Sequence, residues 1–265
     1  MSATISSESS PLAATFTTLR QQKRKALVVY VTAGHPDRAR SLELLKALEE
    51  SGADVIEVGV PFSDPMADGP VIQASSQQAL ANGMTFDGVL DLIARATLKV
   101  PVVLFSYLNP VLAAGDDALA RAARAGAHGL LLTDLPVGSD PALERRFADG
   151  PLAFVRLVAP TTPADRMALI GRNGSGFVYL ISRLGVTGAR AQLPKELPET
   201  IARLKRATTL PVCVGFGVST PEQAATVARL ADGVVVGSAV VKAAGESVVR
   251  AAELVAGLRK AIDGA

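Results

Sequence analysis

Glu57 lies in the middle of Asp54-Val-Ile-Glu-Val-Gly-Val60, an apolar, β-branched run that reads as a strand buried on both faces. A charge left unpaired inside a protein is costly, so a carboxylate in that position needs a reason. The loop that follows, punctuated by Pro and Gly as far as Pro70, carries Asp64 and Asp68. One acid on a rigid strand with others on the next loop would suit a catalytic site. Two glycine-bearing stretches near the C-terminus add a second chemistry. Gly215-Phe-Gly217 offers backbone N–H groups that an anion can approach, and Gly237-Ser-Ala239 opens a helical pattern whose N-terminus favours negative charge. Each could be a plain turn; together they could hold a phosphate. A third stretch, Ser182 to Leu193, has Gly185 and Gly188 as hinges and no helical period before Leu193. It is either a connecting loop or a lid that closes over substrate and excludes water.

These residues need elements to position them. Leu12 to Gln21 is a short amphipathic helix pattern with Phe16 and Leu19 on one face. From Ala26 onward a rhythm repeats, in which a short apolar run, a Gly/Pro/Asp loop and a helical pattern follow one another. The strand candidates are Ala26–Thr32, Asp54–Val60, Pro101–Ser106, Gly129–Thr133, Ala153–Val158, Gly176–Ser182, Pro211–Gly215 and Gly233–Val236. Ala39–Glu50 groups Leu44, Leu45 and Leu48 and stops at Gly52. Thr162-Pro-Ala-Asp165 and Thr220-Pro-Glu-Gln223 each predict an N-cap Thr with Pro at the first helical position and a capping-box partner. Val248, Ala251, Val255, Leu258 and Ile262 form one stripe of the last helix. Parallel strands need crossover connections, and eight such units fit a closed (β/α)8 TIM barrel in a single domain, residues 1–265, with a short extra N-terminal helix. An open doubly wound sheet lacks its fingerprint here, because Thr32-Ala-Gly-His-Pro36 is no G-x-G-x-x-G. In such barrels the active site lies on the loops after the strands, where Glu57, Asp68 and both glycine motifs converge.

Composition narrows the function classes. A net charge of +2, with no basic cluster interleaved with aromatics, gives no ground for a nucleic-acid partner. Lys23, Arg24 and Lys25 form the densest basic run and read as a solvated helix end. Cys213 is the single cysteine and its apolar setting predicts a buried thiol; His35 and His128 have no metal-ligand spacing, so no metal is expected. No apolar run is long enough to span a bilayer. Residues 1–11 read as a flexible tail, without the features of a signal or transit peptide, which predicts a cytoplasmic protein.

The motifs, in their order and spacing, resemble those of the tryptophan synthase alpha subunit family. They are Glu57-Val-Gly-Val-Pro-Phe-Ser-Asp-Pro-Met-Ala-Asp-Gly-Pro70, Tyr107-Leu-Asn-Pro110, Thr133-Asp-Leu-Pro136, Ala159-Pro-Thr-Thr-Pro163, Ser182-Arg-Leu-Gly-Val-Thr-Gly188, Gly215-Phe-Gly217 and Gly237-Ser238. The likeness runs from Lys25 to the final helix. It implies a lyase in tryptophan biosynthesis that cleaves indole-3-glycerol phosphate to indole and glyceraldehyde 3-phosphate by a retro-aldol reaction, without metal or organic cofactor. By matching motif, Glu57 is the acid/base and Asp68 accepts the indole N–H. A partly desolvated strand Glu should have a raised pKa, and a loop Asp with better solvation should stay ionised. The resemblance places Tyr179 beside Glu57 and Thr187 against Asp68 on lid closure. It makes Gly188, Gly217, Gly237 and Ser238 phosphate contacts, and lets Tyr30, Phe105, Leu131 and Phe216 line the indole pocket; for those four, packing is the other reading.

The resemblance also implies a partner, a beta subunit bearing pyridoxal phosphate, in an αββα heterotetramer that passes indole between subunits. Pro61, Asp64 and Asn109 match interface positions, and no lysine motif for pyridoxal phosphate occurs in this chain. Three residues depart from the family pattern: Val29 where Pro is common, His35 where Asp is common, and Arg156 where an apolar residue or Pro is usual. His35 is expected at the surface. The rivals are a non-catalytic activating subunit, which loss of either acid would have marked, and another phosphate-binding barrel such as indole-glycerol-phosphate synthase or a ribulose-phosphate epimerase. Those need a differently placed Lys or metal-ligating His and Asp at the strand ends.

Overall fold

The computed structural model describes residues 10–182, 193–215 and 217–265. Eight parallel strands close on themselves in chain order: β1 (Ala26–Thr32), β2 (Val55–Gly59), β3 (Val102–Ser106), β4 (Ala127–Leu132), β5 (Ala153–Val158), β6 (Val178–Ile181), β7 (Val212–Gly215) and β8 (Gly233–Val236). β1 pairs with β2 through Tyr30↔Glu57 and with β8 through Val28↔Val235, which completes the ring. The helices are α1 (Pro11–Gln21), α2 (Arg38–Glu50), α3 (Pro70–Ala81), α4 (Phe86–Ala96), α5 (Leu108–Ala113), α6 (Ala118–Ala125), α7 (Pro141–Ala148), α8 (Ala164–Arg172), α9 (Leu197–Ala207), α10 (Pro221–Ala228), α11 (Ser238–Glu246) and α12 (Val248–Asp263). The expected TIM barrel is therefore the fold.

Alternation along each strand splits the apolar residues between two cores. Val29, Val31, Ile56, Val58, Leu104 and Leu130 face the helices, whereas Val28, Val55, Val103, Leu131, Val155 and Cys213 fill the barrel. Val29 pairs with Ile56 and Val236 in the ladder. Cys213 is fully buried, as expected of a structural thiol.

Below the barrel, α1 closes the N-terminal mouth. Leu12, Phe16 and Leu19 are buried against the interior core, and Phe16 meets Phe177 at 5.5 Å between ring centres. Gly176 makes this fit possible, since a Cβ there would lie 2.5 Å from Leu12 Cδ2. The backbone of Gly176 is left-handed, φ +78°, and β6 accordingly starts only at Val178, later than the alternation suggests. Ser10 and Pro11, read from the sequence as the end of a tail, are the cap and first residue of α1. The basic run divides: Lys23 is exposed beyond the helix end, while Arg24 pairs with Asp263 at 3.4 Å. Near that end Asp54 accepts from Leu27 N and from Arg259 Nη1, both at 2.8 Å, and so ties α12 to β1 and β2.

The capping signals fared differently. Thr220 caps α10 by accepting from Gln223 N at 3.3 Å, and the Gln223 side chain reaches back to Ser219 N at 2.8 Å. Thr162 is not a cap: Pro163 holds that place, and Thr162 Oγ1 accepts from Ala159 N at 3.1 Å instead, closing the turn after β5. Arg156 points from β5 into the helical layer. Its Nη2 meets Glu144 Oε2 at 2.9 Å, Nη1 donates to Leu135 O at 3.1 Å, Nε donates to Asn173 O at 3.0 Å, and the guanidinium lies 3.9 Å from the centre of the Phe154 ring. Every polar face of this buried cation is paired, which explains how the strand tolerates it. His35 is not at the surface; it is half-buried against Gly245 of α11, and burial lowers its pKa.

Candidate active site

The C-terminal mouth of the barrel holds a pocket whose wall includes Tyr30, Glu57, Asp68, Phe105, Tyr179, Gly217, Gly237 and Ser238. Strand alternation puts Glu57 inside the barrel, level with Tyr30 on β1 and Val103 on β3. It is wholly buried, and neither carboxyl oxygen has a hydrogen-bond partner among the described residues. Burial alone pushes its pKa up to about 8, so at neutral pH it is a carboxylic acid with a proton to give.

Asp68 departs from the expectation of a well-solvated acid. It is 6% exposed. The loop after β2 turns back over the barrel before Gly69-Pro70 starts α3, and Tyr107 at the end of β3 grips it there. Tyr107 Oη accepts from Ala67 N at 2.9 Å and donates to Asp68 Oδ2 at 3.2 Å. Burial raises the Asp68 pKa to about 6 while this donor lowers it, and the acid remains largely ionised at pH 7. The pocket thus sets an acid kept neutral by burial beside one that its Tyr107 donor helps to keep ionised.

The two glycine-bearing loops expected to hold a phosphate both reach the wall of this pocket. Gly217 has φ +99°, which a residue with a Cβ adopts only under strain. Gly237 precedes α11, whose first turn has no side-chain cap, so the N–H groups of the first turn lie at the pocket wall with Ser238 and Ala239. The same wall carries the aromatic residues Tyr30, Phe105 and Tyr179. Tyr30 and Phe105 meet edge to face at 5.0 Å between ring centres. The hydroxyls of Tyr30 and Tyr179 occupy space that only glycine leaves: a Cβ on Gly59 or on Gly215 would come within 2.2 Å of the respective oxygen. Leu131 is fully buried in the interior core and does not line the pocket.

Thr187, Gly188 and Phe216, with the whole candidate lid from Arg183 to Gln192, lie outside the described residues. Of the interface candidates, Asp64 and Asn109 are exposed and Pro61 is buried at the end of β2. Met66, on the same loop, is 87% exposed. Sequence reasoning missed Tyr107, although a tyrosine closing an apolar strand signals a hydroxyl in need of a partner. It also missed Ile72, Val218, Ser219, Val235 and Ala239, which share the pocket wall; Val235 follows from the alternation along β8. Among the described residues no group of three or more His, Cys, Asp or Glu side chains is placed to hold a metal ion.

Residues 16–262 match the family model described as tryptophan synthase alpha chain. The tryptophan synthase alpha chain of Desulfatibacillum aliphaticivorans is 50% identical over 231 residues, which cover 84% of this chain and 86% of that one. That of Gloeobacter violaceus is 48% identical over 244 residues, 90% of this chain and 88% of its own. Among solved structures, Mycobacterium tuberculosis tryptophan synthase superposes with a TM-score of 0.88 at 39% identity, covering 96% of this chain and 98% of that chain. The alpha subunit from Legionella pneumophila gives a TM-score of 0.88 at 36% identity, with 97% and 99% covered.

Proposed function

Because this chain belongs to the tryptophan synthase alpha chain family, we propose that it cleaves indole-3-glycerol phosphate to indole and glyceraldehyde 3-phosphate. The observation that carries the reading is Glu57, a carboxyl without a hydrogen-bond partner among the described residues and kept neutral by burial, in one pocket with ionised Asp68 and the N-terminus of α11. For the carbon–carbon bond to break, the indole must leave as a neutral molecule. Glu57 delivers a proton to indole C3, forming the indolenine. Asp68, held by Tyr107, accepts the ring N–H and offsets the positive charge that develops there. The carboxylate left on Glu57 takes the proton of the chain hydroxyl next to the bond. That carbon becomes the aldehyde, and the bonding pair returns to the ring. One proton enters, one leaves, and the acid is regenerated. Gly217, Gly237 and Ser238 hold the phosphate at the opposite end, with Gly188 completing the cradle. Tyr30, Phe105 and Tyr179 flank the indole together with Phe216, Leu131 only packs behind them in the interior core, and Thr187 bonds Asp68 when the lid closes.

The reaction draws on side chains of this chain alone. Pyridoxal phosphate belongs to a beta subunit with which the chain forms an αββα assembly in the cytoplasm. Docking is through the loop after β2 and through α5, where Asp64, Asn109 and Met66 are exposed beside Pro61. Release of indole from indole-3-glycerol phosphate, with and without a beta subunit, tests both parts. Turnover that rises with the partner is the expected result; no indole in either case would remove the lyase reading.

A further inference from the structure

A run of hydroxyls behind Tyr30 has one consistent direction. Ser75 Oγ donates to the carbonyl of Ile72 at 2.8 Å, so it accepts from Thr32 Oγ1, which lies 2.7 Å away. Thr32, with its proton committed to Ser75, accepts from Tyr30 Oη at 3.4 Å. A phenol has a single proton, and that of Tyr30 is directed out of the pocket. This is the sole hydrogen bond of Tyr30 Oη among the described residues. The hydroxyl therefore presents lone pairs, and no donor, to the pocket that Tyr30 lines together with Glu57 and Asp68. Its ring starts beside Gly237 at the anion end, where a Cβ would lie 3.5 Å from Tyr30 Cβ, and its oxygen ends over Gly59 on the strand of Glu57. A substrate joining an aromatic ring to a phosphate must run its linking chain along this edge.

We infer that Tyr30 Oη accepts a hydrogen bond from a hydroxyl of that linking chain. Tyr30 would then be a specificity-determining residue for the hydroxylated chain as well as part of the apolar wall. The inference rests on the function proposed above. A linker without hydroxyls would leave the oxygen without a donor, and buried polar groups left unpaired are what allow a site to reject an analogue lacking the matching group.

The test compares indole-3-glycerol phosphate with its analogue in which both chain hydroxyls are replaced by hydrogen. Tyr30→Phe keeps the ring and should lower kcat/KM for the substrate about tenfold, the scale of one hydrogen bond, while the Kd of the analogue stays within about twofold. Thr32→Val, which lets the Tyr30 proton turn into the pocket, should also lower kcat/KM, and Thr32→Ser should restore it. Thermal unfolding of each variant separates these effects from loss of fold. If Tyr30→Phe matches the wild type, or weakens the analogue and the substrate equally, the acceptor role is overturned. Full activity of Thr32→Val overturns the proton direction on which that role depends. A wild-type protein that releases no indole overturns the proposed function and this inference with it, whereas normal wild-type turnover with an unaffected Tyr30→Phe removes the inference alone.

Discussion

In the proposed reaction Glu57 can act as an acid only where it keeps its proton, and Asp68 can steady the indole nitrogen only where it has lost its own. With pKa values of about 8 and about 6, both conditions hold in a narrow window around neutrality. The profile of kcat/KM against pH should be bell-shaped with limbs near these values, which belong to the pair as apparent constants. Tyr107→Phe removes the donor that favours ionised Asp68, so the acid limb should move to higher pH while the alkaline limb stays in place. Glu57→Gln should lower turnover by about 10²–10⁴-fold, the usual contribution of a general acid. It should also stabilise the fold at alkaline pH. Between the ordinary glutamate value of 4.5 and about 8, the folded chain keeps a proton at Glu57 that the unfolded chain releases. Stability contributed at this site therefore falls as pH rises through that window and is level above it. Glutamine has no such titration, so Tm at pH 8 should rise by several degrees relative to the wild type, with little difference at pH 4.5.

At the scale of the element, β5 shows how an unusual residue is absorbed. Arg156 is fully paired between β5 and α7, and Glu144 is its one anionic partner among the described residues. Glu144→Ala leaves a buried cation uncompensated and should cost about 3–5 kcal/mol, readable as a lowered denaturation midpoint. Glu144 also accepts from Gly138 N at 2.6 Å, so the loop after β4 should loosen in hydrogen exchange. The strands around β5 were legible in sequence because buried parallel strands are short unbroken apolar runs, and each falls within two residues of its expected bounds. Thr220 was legible because its cap is a local contact. Thr162 was not, because the turn after β5 offered its hydroxyl a nearer donor in Ala159. Asp68 misled for a different reason. A loop rich in Pro and Gly shows that the chain turns, but its path depends on Tyr107, nearly forty residues away in sequence. The acids could thus be named from the sequence, while the solvation of one of them could not.

For the molecule as a whole, the most consequential feature stands at the end of the barrel away from the chemistry. An eleven-residue amphipathic helix announces that it has an apolar face, and nothing in its own pattern says what that face covers. In the folded chain it covers the N-terminal mouth, with Phe16 on Phe177 and Leu12 seated over Gly176. Phe16→Ala should cost about 3–5 kcal/mol through the cavity it opens. It should also move the alkaline limb of the pH profile to lower values, because water admitted from below weakens the desolvation that holds the proton on Glu57. An unmoved limb in a destabilised Phe16→Ala protein would show that the inner layers seal Glu57 by themselves. A limb that moves would make the helix that precedes the barrel electrical insulation, with the strength of the acid at the open mouth set partly by how tightly the opposite one is shut.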